Sequence, residues 1–176
     1  MSHTSQPVFD PNEVVVFSDS MMQQMNEVVK KFPQDKEKSA LIRILHIAQA
    51  EYGWVSVPVM NKIAEFLKIK AIEVYEVATF YTMFHLQPVG KHVLEVCRTG
   101  PCMLVGSDQL IEHIEKKLNI KVGETTSDGM FTLKTAECLG GCGYGPLLQC
   151  RNKYHEHLSI EKVDALIEQY RNGEIQ

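Results

Sequence analysis

The chain has few cysteines, no long apolar stretch and no surplus of positive charge. Five cysteines among 176 residues are an odd number, and too few to build a disulfide scaffold of this length. No apolar run approaches the ~20 residues needed to span a bilayer. Against 22 Asp and Glu there are only 18 Lys and Arg, a net charge of -4. That argues against a general electrostatic grip on DNA or RNA, which needs clustered positive charge. The N-terminal segment, Met1 to Ser20, contains Asp10, Glu13 and Asp19 but no Lys or Arg. It matches neither a secretory signal nor an Arg-rich transit peptide. The expectation is a bacterial chain in the reducing cytoplasm, without direct membrane insertion. A dinucleotide-binding glycine fingerprint after a strand is missing, as is a P-loop. What is present is an ordinary globular balance, 44% hydrophobic and 23% charged, in a length that suits one domain or two small ones.

Three segments follow from the patterning. Residues 1–18 are polar and contain proline, and read as an extended N-terminal arm. Residues 19–87 read as a helical bundle. Met21, Met22, Met25, Val28, Val29 and Phe32 share one helical face, and Pro33 ends that segment. A second helix carries Leu41, Ile44, Leu45, Ala48 and Tyr52 and stops at Gly53. Ser56 caps a third, with Pro58 in its first turn, and a fourth runs from about Ala71 to Tyr81. Trp54 is expected as a buried anchor of the bundle. Gln87 to Gly90 is a break. Residues 88–176 mix strands and helices: Lys91–Cys97, Met130–Ala136, Leu147–Arg151 and Tyr154–Leu158 as strands, Leu104–Leu118 as a helix, and a last helix capped by Ser159. The fold class is α/β, a helical bundle followed by a small sandwich of the thioredoxin kind.

Four of the five cysteines form two close pairs. Four residues lie between Cys97 and Cys102, three between Cys138 and Cys142, and 35 between the pairs. Each pair sits where a strand ends, so the two loops can meet at one edge of a sheet. Soft thiolates favour zinc, copper(I) or iron–sulfur clusters. Structural zinc usually takes closer knuckles, although such spacings occur. A [2Fe–2S] cluster needs two cysteines on each of two irons, which suits looser pairs. Gly100, Gly140, Gly141, Gly143 and Gly145 let the backbone wrap its N–H groups around an anionic group. Spacing and glycines together favour the cluster, with a zinc-stabilised adaptor as the alternative.

The ordered motifs Val77-Ala78-Thr79-Phe80-Tyr81, Pro88-Val89-Gly90-Lys91, Cys97 with Pro101-Cys102, Val122-Gly123-Glu124-Thr125-Thr126 and Glu137-Cys138-Leu139-Gly140-Gly141-Cys142 carry a resemblance. From about residue 19 to 171 the chain resembles the NuoE-type small iron–sulfur subunit of NADH–quinone oxidoreductase, respiratory complex I. The resemblance implies a thioredoxin-like [2Fe–2S] domain with Cys97, Cys102, Cys138 and Cys142 as its ligands. It also implies a flavoprotein partner that binds FMN and NADH, within the larger complex. The implied role is single-electron transfer as one component of an oxidoreductase, with no independent catalytic site in this chain. The homologous subunits of NAD-linked hydrogenases and formate dehydrogenases resemble it as well.

The remaining candidates have plainer readings. Cys150 has no partner at short spacing and reads as a small buried hydrophobe. His155 and His157 alternate, so they would share a strand face, and both read as surface residues. Phe80, Tyr81 and Phe84 read as packing at a helix end or against a neighbouring subunit. A Cys–His nucleophile would need no cysteine companions, and the paired cysteines speak against it.

Overall fold

The computed structural model describes residues 14–175, so most of the expected N-terminal arm lies outside the described residues. The chain divides into two compact units, with the boundary between Pro88 and Val89.

The first unit is helical. Helix α1 (Asp19–Val29) starts at Ser18, whose hydroxyl accepts the Met21 N–H at 3.2 Å. It ends earlier than Pro33 alone would require. The N–H groups of Lys31 and Phe32 bond the carbonyls three residues back, the tightened geometry of a fraying last turn. Helix α2 (Leu41–Tyr52) stops at Gly53, whose φ of 78° is left-handed. Helix α3 (Val57–Leu67) is capped by Ser56 through the Val59 N–H. In α4 (Ala71–Phe80) the Glu73 carboxylate accepts the Lys70 N–H at 2.9 Å. Met21, Met25, Ile44, Leu45, Met60, Ile63 and Val74 meet in one core. Trp54 is only half-buried. Val55 takes the interior position instead, because its N–H is drawn in to the His85 carbonyl at 2.7 Å.

The second unit is a four-stranded sheet with two long helices. Strands β1 (His92–Cys97), β2 (Phe131–Ala136), β3 (Leu148–Cys150) and β4 (Lys153–His155) lie in the order β2-β1-β3-β4. Strands β1 and β2 are parallel, with Leu94 opposite Leu133 and Cys97 opposite Ala136. The β1–β3 and β3–β4 pairs are antiparallel. Alternate residues of β1 face the helices, so Leu94 and Val96 pack with Phe131, Leu133, Leu148 and Cys150. Ile114 of the later helix α6 (Ser107–Leu118) and Val163, Ile167 and Tyr170 of α7 (Ile160–Asn172) close that face. At Gly90 the backbone passes so close to β2 that a Cβ would come within 2.8 Å of the Phe131 carbonyl carbon. Its N–H bonds Thr132 Oγ1 at 2.6 Å.

Two elements differ from the sequence reading. The helix expected over Leu104–Leu118 starts later, as α6 from Ser107, and Leu104 instead ends a separate short helix, α5 (Gly100–Leu104). Gly106, with φ of 101°, makes the break. The expected strand Tyr154–Leu158 ends at His155, because His157 has a left-handed φ of 48°. His155 and His157 therefore do not share a strand. His155 is half-buried, its Nε2 2.9 Å from the Tyr170 hydroxyl, and is not the surface residue expected. Cys150 is buried, as a small core residue would be.

Candidate functional site

The parallel pairing of β1 and β2 sends both strands toward the same end of the sheet. Cys97 is the last residue of β1, and its partner Ala136 is the last of β2, two residues before Cys138. The Arg98 N–H bonds the Ala136 carbonyl at 3.0 Å, and the Cys97 N–H bonds the Leu147 carbonyl at 3.1 Å. These bonds fix the roots of both cysteine loops. Cys102 follows in α5, where Pro101 suits the first helical turn. Cys142 opens a single 3-10 turn, Cys142–Tyr144.

All five cysteines are free thiols; Cys97 and Cys102 are buried and Cys138 and Cys142 exposed. The Cys97 and Cys102 thiols hydrogen-bond each other. A Cβ at Gly145 would stand 3.3 Å from Cys102 Sγ, and one at Gly141 would press on the Leu147 side chain at 3.0 Å. Glycine at these two positions lets the second loop close down on the first. Leu147 is fully buried beneath, packed with Cys97 and Cys102.

Backbone donors surround the sulfurs. The Gly140 N–H points at Cys138 Sγ at 3.4 Å. The N–H groups of Thr99 and Leu139 reach Cys97, and that of Leu147 reaches Cys102. Thr99 Oγ1 lies 3.4 Å from Cys97 Sγ. Burial alone would raise the Cys97 thiol, but the Thr99 hydroxyl and N–H, with Leu139 and Cys102, outweigh it and hold the thiol below its ordinary range. Burial, then the neighbouring Cys97, pushes Cys102 up to about 11. Among the described residues no three Cys, His, Asp or Glu side chains gather tightly enough to hold a single metal ion. The arrangement is two cysteine-bearing loops at one end of the sheet, with amide donors aimed at the sulfurs of Cys97, Cys102 and Cys138. It fits a [2Fe–2S] group, which takes two thiolates on each iron and whose anionic sulfurs accept N–H bonds.

The family described as thioredoxin-like [2Fe-2S] ferredoxin matches residues 25–171. This chain belongs to that family. Among its relatives, an NADH-quinone oxidoreductase subunit of Rhizobium meliloti (strain 1021) is 41% identical over 155 residues, 88% of this chain and 91% of the relative. Its counterpart in Rickettsia prowazekii (strain Madrid E), also an NADH-quinone oxidoreductase subunit, is 45% identical over 146 residues, 82% of each. A crystal structure of an NAD+-reducing [NiFe]-hydrogenase in the air-oxidized state is similar in fold, with a TM-score of 0.67 at 20% identity. That match covers 76% of this chain and 23% of the hydrogenase chain.

The structure brings the loops of all four sequence-predicted residues, Cys97, Cys102, Cys138 and Cys142, to one end of the sheet and leaves Cys150 in the core. Sequence reasoning missed Thr99, Leu147 and Tyr154, whose hydroxyl bonds the Leu139 carbonyl at 2.9 Å. Thr99 lies between two candidate ligands and was legible in principle. Tyr154 reaches the loop only through the strand order, which no local pattern announces.

Proposed function

We propose that this chain is the [2Fe–2S] electron-transfer component of an NADH–quinone oxidoreductase, with Cys97, Cys102, Cys138 and Cys142 as the cluster ligands. The observation that carries the ligand set is the in-register β1–β2 pair, which roots both cysteine loops at one sheet end. Relatives of nearly the same length that bear that oxidoreductase's name support the assembly. When bound, a [2Fe–2S] cluster supplies a one-electron centre. The residues of this chain hold it: four thiolates bind, Leu147 closes the floor, and the N–H groups of Thr99, Leu139, Gly140 and Leu147 stabilise charge on sulfur.

The resemblance to the small iron–sulfur subunits implies the partner, a flavoprotein that binds FMN and NADH. The helical unit serves for docking and the α/β unit carries the redox site. Tyr75, Phe80 and Tyr81 of the α4 region expose aromatic surface, and Phe80 is 77% exposed. Phe84 packs inward at 3%. No helix among the described residues is long and apolar enough to cross a membrane. A peripheral place on the cytoplasmic side of a bacterial inner membrane, held through the complex, suits that.

Iron and sulfide analysis, with EPR of the dithionite-reduced protein, tests the reading. The expected result is about two irons and two labile sulfides per chain and one S = 1/2 signal. Cys97→Ser, Cys102→Ser, Cys138→Ser and Cys142→Ser each remove that signal, whereas Cys150→Ser keeps it. A zinc-loaded, colourless protein from iron-replete anaerobic preparation overturns the reading.

A further inference from the structure

The Leu139–Gly140 peptide is held from both sides. Its carbonyl oxygen accepts the Tyr154 hydroxyl at 2.9 Å, and its N–H donates toward Cys138 Sγ at 3.4 Å. The preceding N–H, that of Leu139, reaches Cys97. Two successive amides therefore face two sulfurs from different loops. Gly140, with φ of 77°, supplies the left-handed backbone conformation typical of such anion-directed turns. Tyr154 itself is fixed from elsewhere. It lies in β4 opposite Gln149, and β3 carries that register back to β1. The loop containing Cys138 is thus tied to the sheet by a side chain 15 residues away.

A hydrogen bond to an amide oxygen polarises the peptide and makes its N–H a stronger donor. Reduction adds one negative charge to a cluster, so N–H donors to sulfur favour the reduced state. We propose that Tyr154 is a positioning residue that raises the reduction potential of the redox site through the Leu139–Gly140 peptide. This rests on the ligand set above.

The test is an EPR-monitored redox titration of the full-length chain in its complex. Tyr154→Phe keeps the ring and removes the donor. The equilibrium constant for reduction should fall about threefold, which at 59 mV per tenfold for one electron is about 28 mV more negative. Replacement of Tyr154 by 3-fluorotyrosine keeps the geometry and makes the hydroxyl a stronger acid and donor, so the potential should move the other way. A merely structural contact would change cluster content without this reversal of sign. If Tyr154→Phe loses the cluster, the fluorotyrosine titration decides. Parental potentials in the substituted proteins that retain the cluster overturn the role of Tyr154 and leave the ligand set standing. Absence of any [2Fe–2S] signal in the unsubstituted protein overturns the ligand set itself.

Discussion

Leu147→Ala removes the floor of the cysteine site while leaving its backbone bonds in place. The side chain is fully buried against Cys97 and Cys102, and Gly141 closes over it. Three carbons' worth of apolar transfer come to about 2.4 kcal/mol at ~0.8 kcal/mol each. A rigid cavity beneath two tied loops adds to this, so the expected cost is about 3 kcal/mol, within the ~2.7–5 kcal/mol of buried Leu→Ala changes. Amide hydrogen exchange of the full chain, read on peptides covering β1 and β3, measures it. At about 1.4 kcal/mol per tenfold, those amides should exchange roughly 100-fold faster. Peptides from α2, in the separate helical core, should not change. Leu147→Met conserves volume and should cost less than ~1.5 kcal/mol. An acceleration below about tenfold in Leu147→Ala, or equal effects of Ala and Met, would refute the packing argument.

Two further outcomes follow. Gly90→Ala should weaken the start of the β1–β2 pair by about 1–3 kcal/mol, because the new Cβ meets Phe131 backbone that cannot swing away; thermal unfolding checks it, and an unchanged midpoint counts against it. Burial, with Arg43 for His46, Arg151 and Lys91 for His92, and Lys153 for His155, holds these imidazoles below the ordinary histidine range. The unfolded chain then takes up protons at about pH 6.5 before the folded chain does, so stability is full above that value and falls below it. Urea midpoints at about pH 7.5 and 5.5 should differ in that direction, and less in His92→Phe, since His92 is buried and neither ring nitrogen has a hydrogen-bond partner among the described residues.

The helices of the first unit are legible in the sequence because their signals are local. Ser18, Ser56 and Gly53 mark ends by hydrogen bonds and a backbone angle within a few residues. The break at Gly106 is not, because Met103, Leu104 and Val105 continue an apolar helical pattern although they are exposed, Leu104 at 90%. His155 escapes a sequence reading for a related reason. Its partner, Tyr170, lies in another element, and only the antiparallel β3–β4 hairpin under α7 brings them together. Spacing singles out the four cysteines as candidate ligands, but their environment depends on contacts spread over the whole second unit.

That difference explains why the separation of the cysteine pairs tells so little by itself. Within each pair, spacing matters, since one loop must present two sulfurs. Between the pairs, the 35 residues include α6 and β2, and a parallel strand pair requires such a crossover. The register of β1 on β2 converts that distance in sequence into adjacent loop roots, Cys97 opposite Ala136. Lengthening the turn after α6 should therefore leave the cysteine geometry alone. A shift of β2 by two residues would keep every side chain on its proper face and still carry the Cys138 loop about 7 Å along the strand. The site is held by the sheet register, and the core residues Leu94, Leu133 and Phe131 are what hold that register in place.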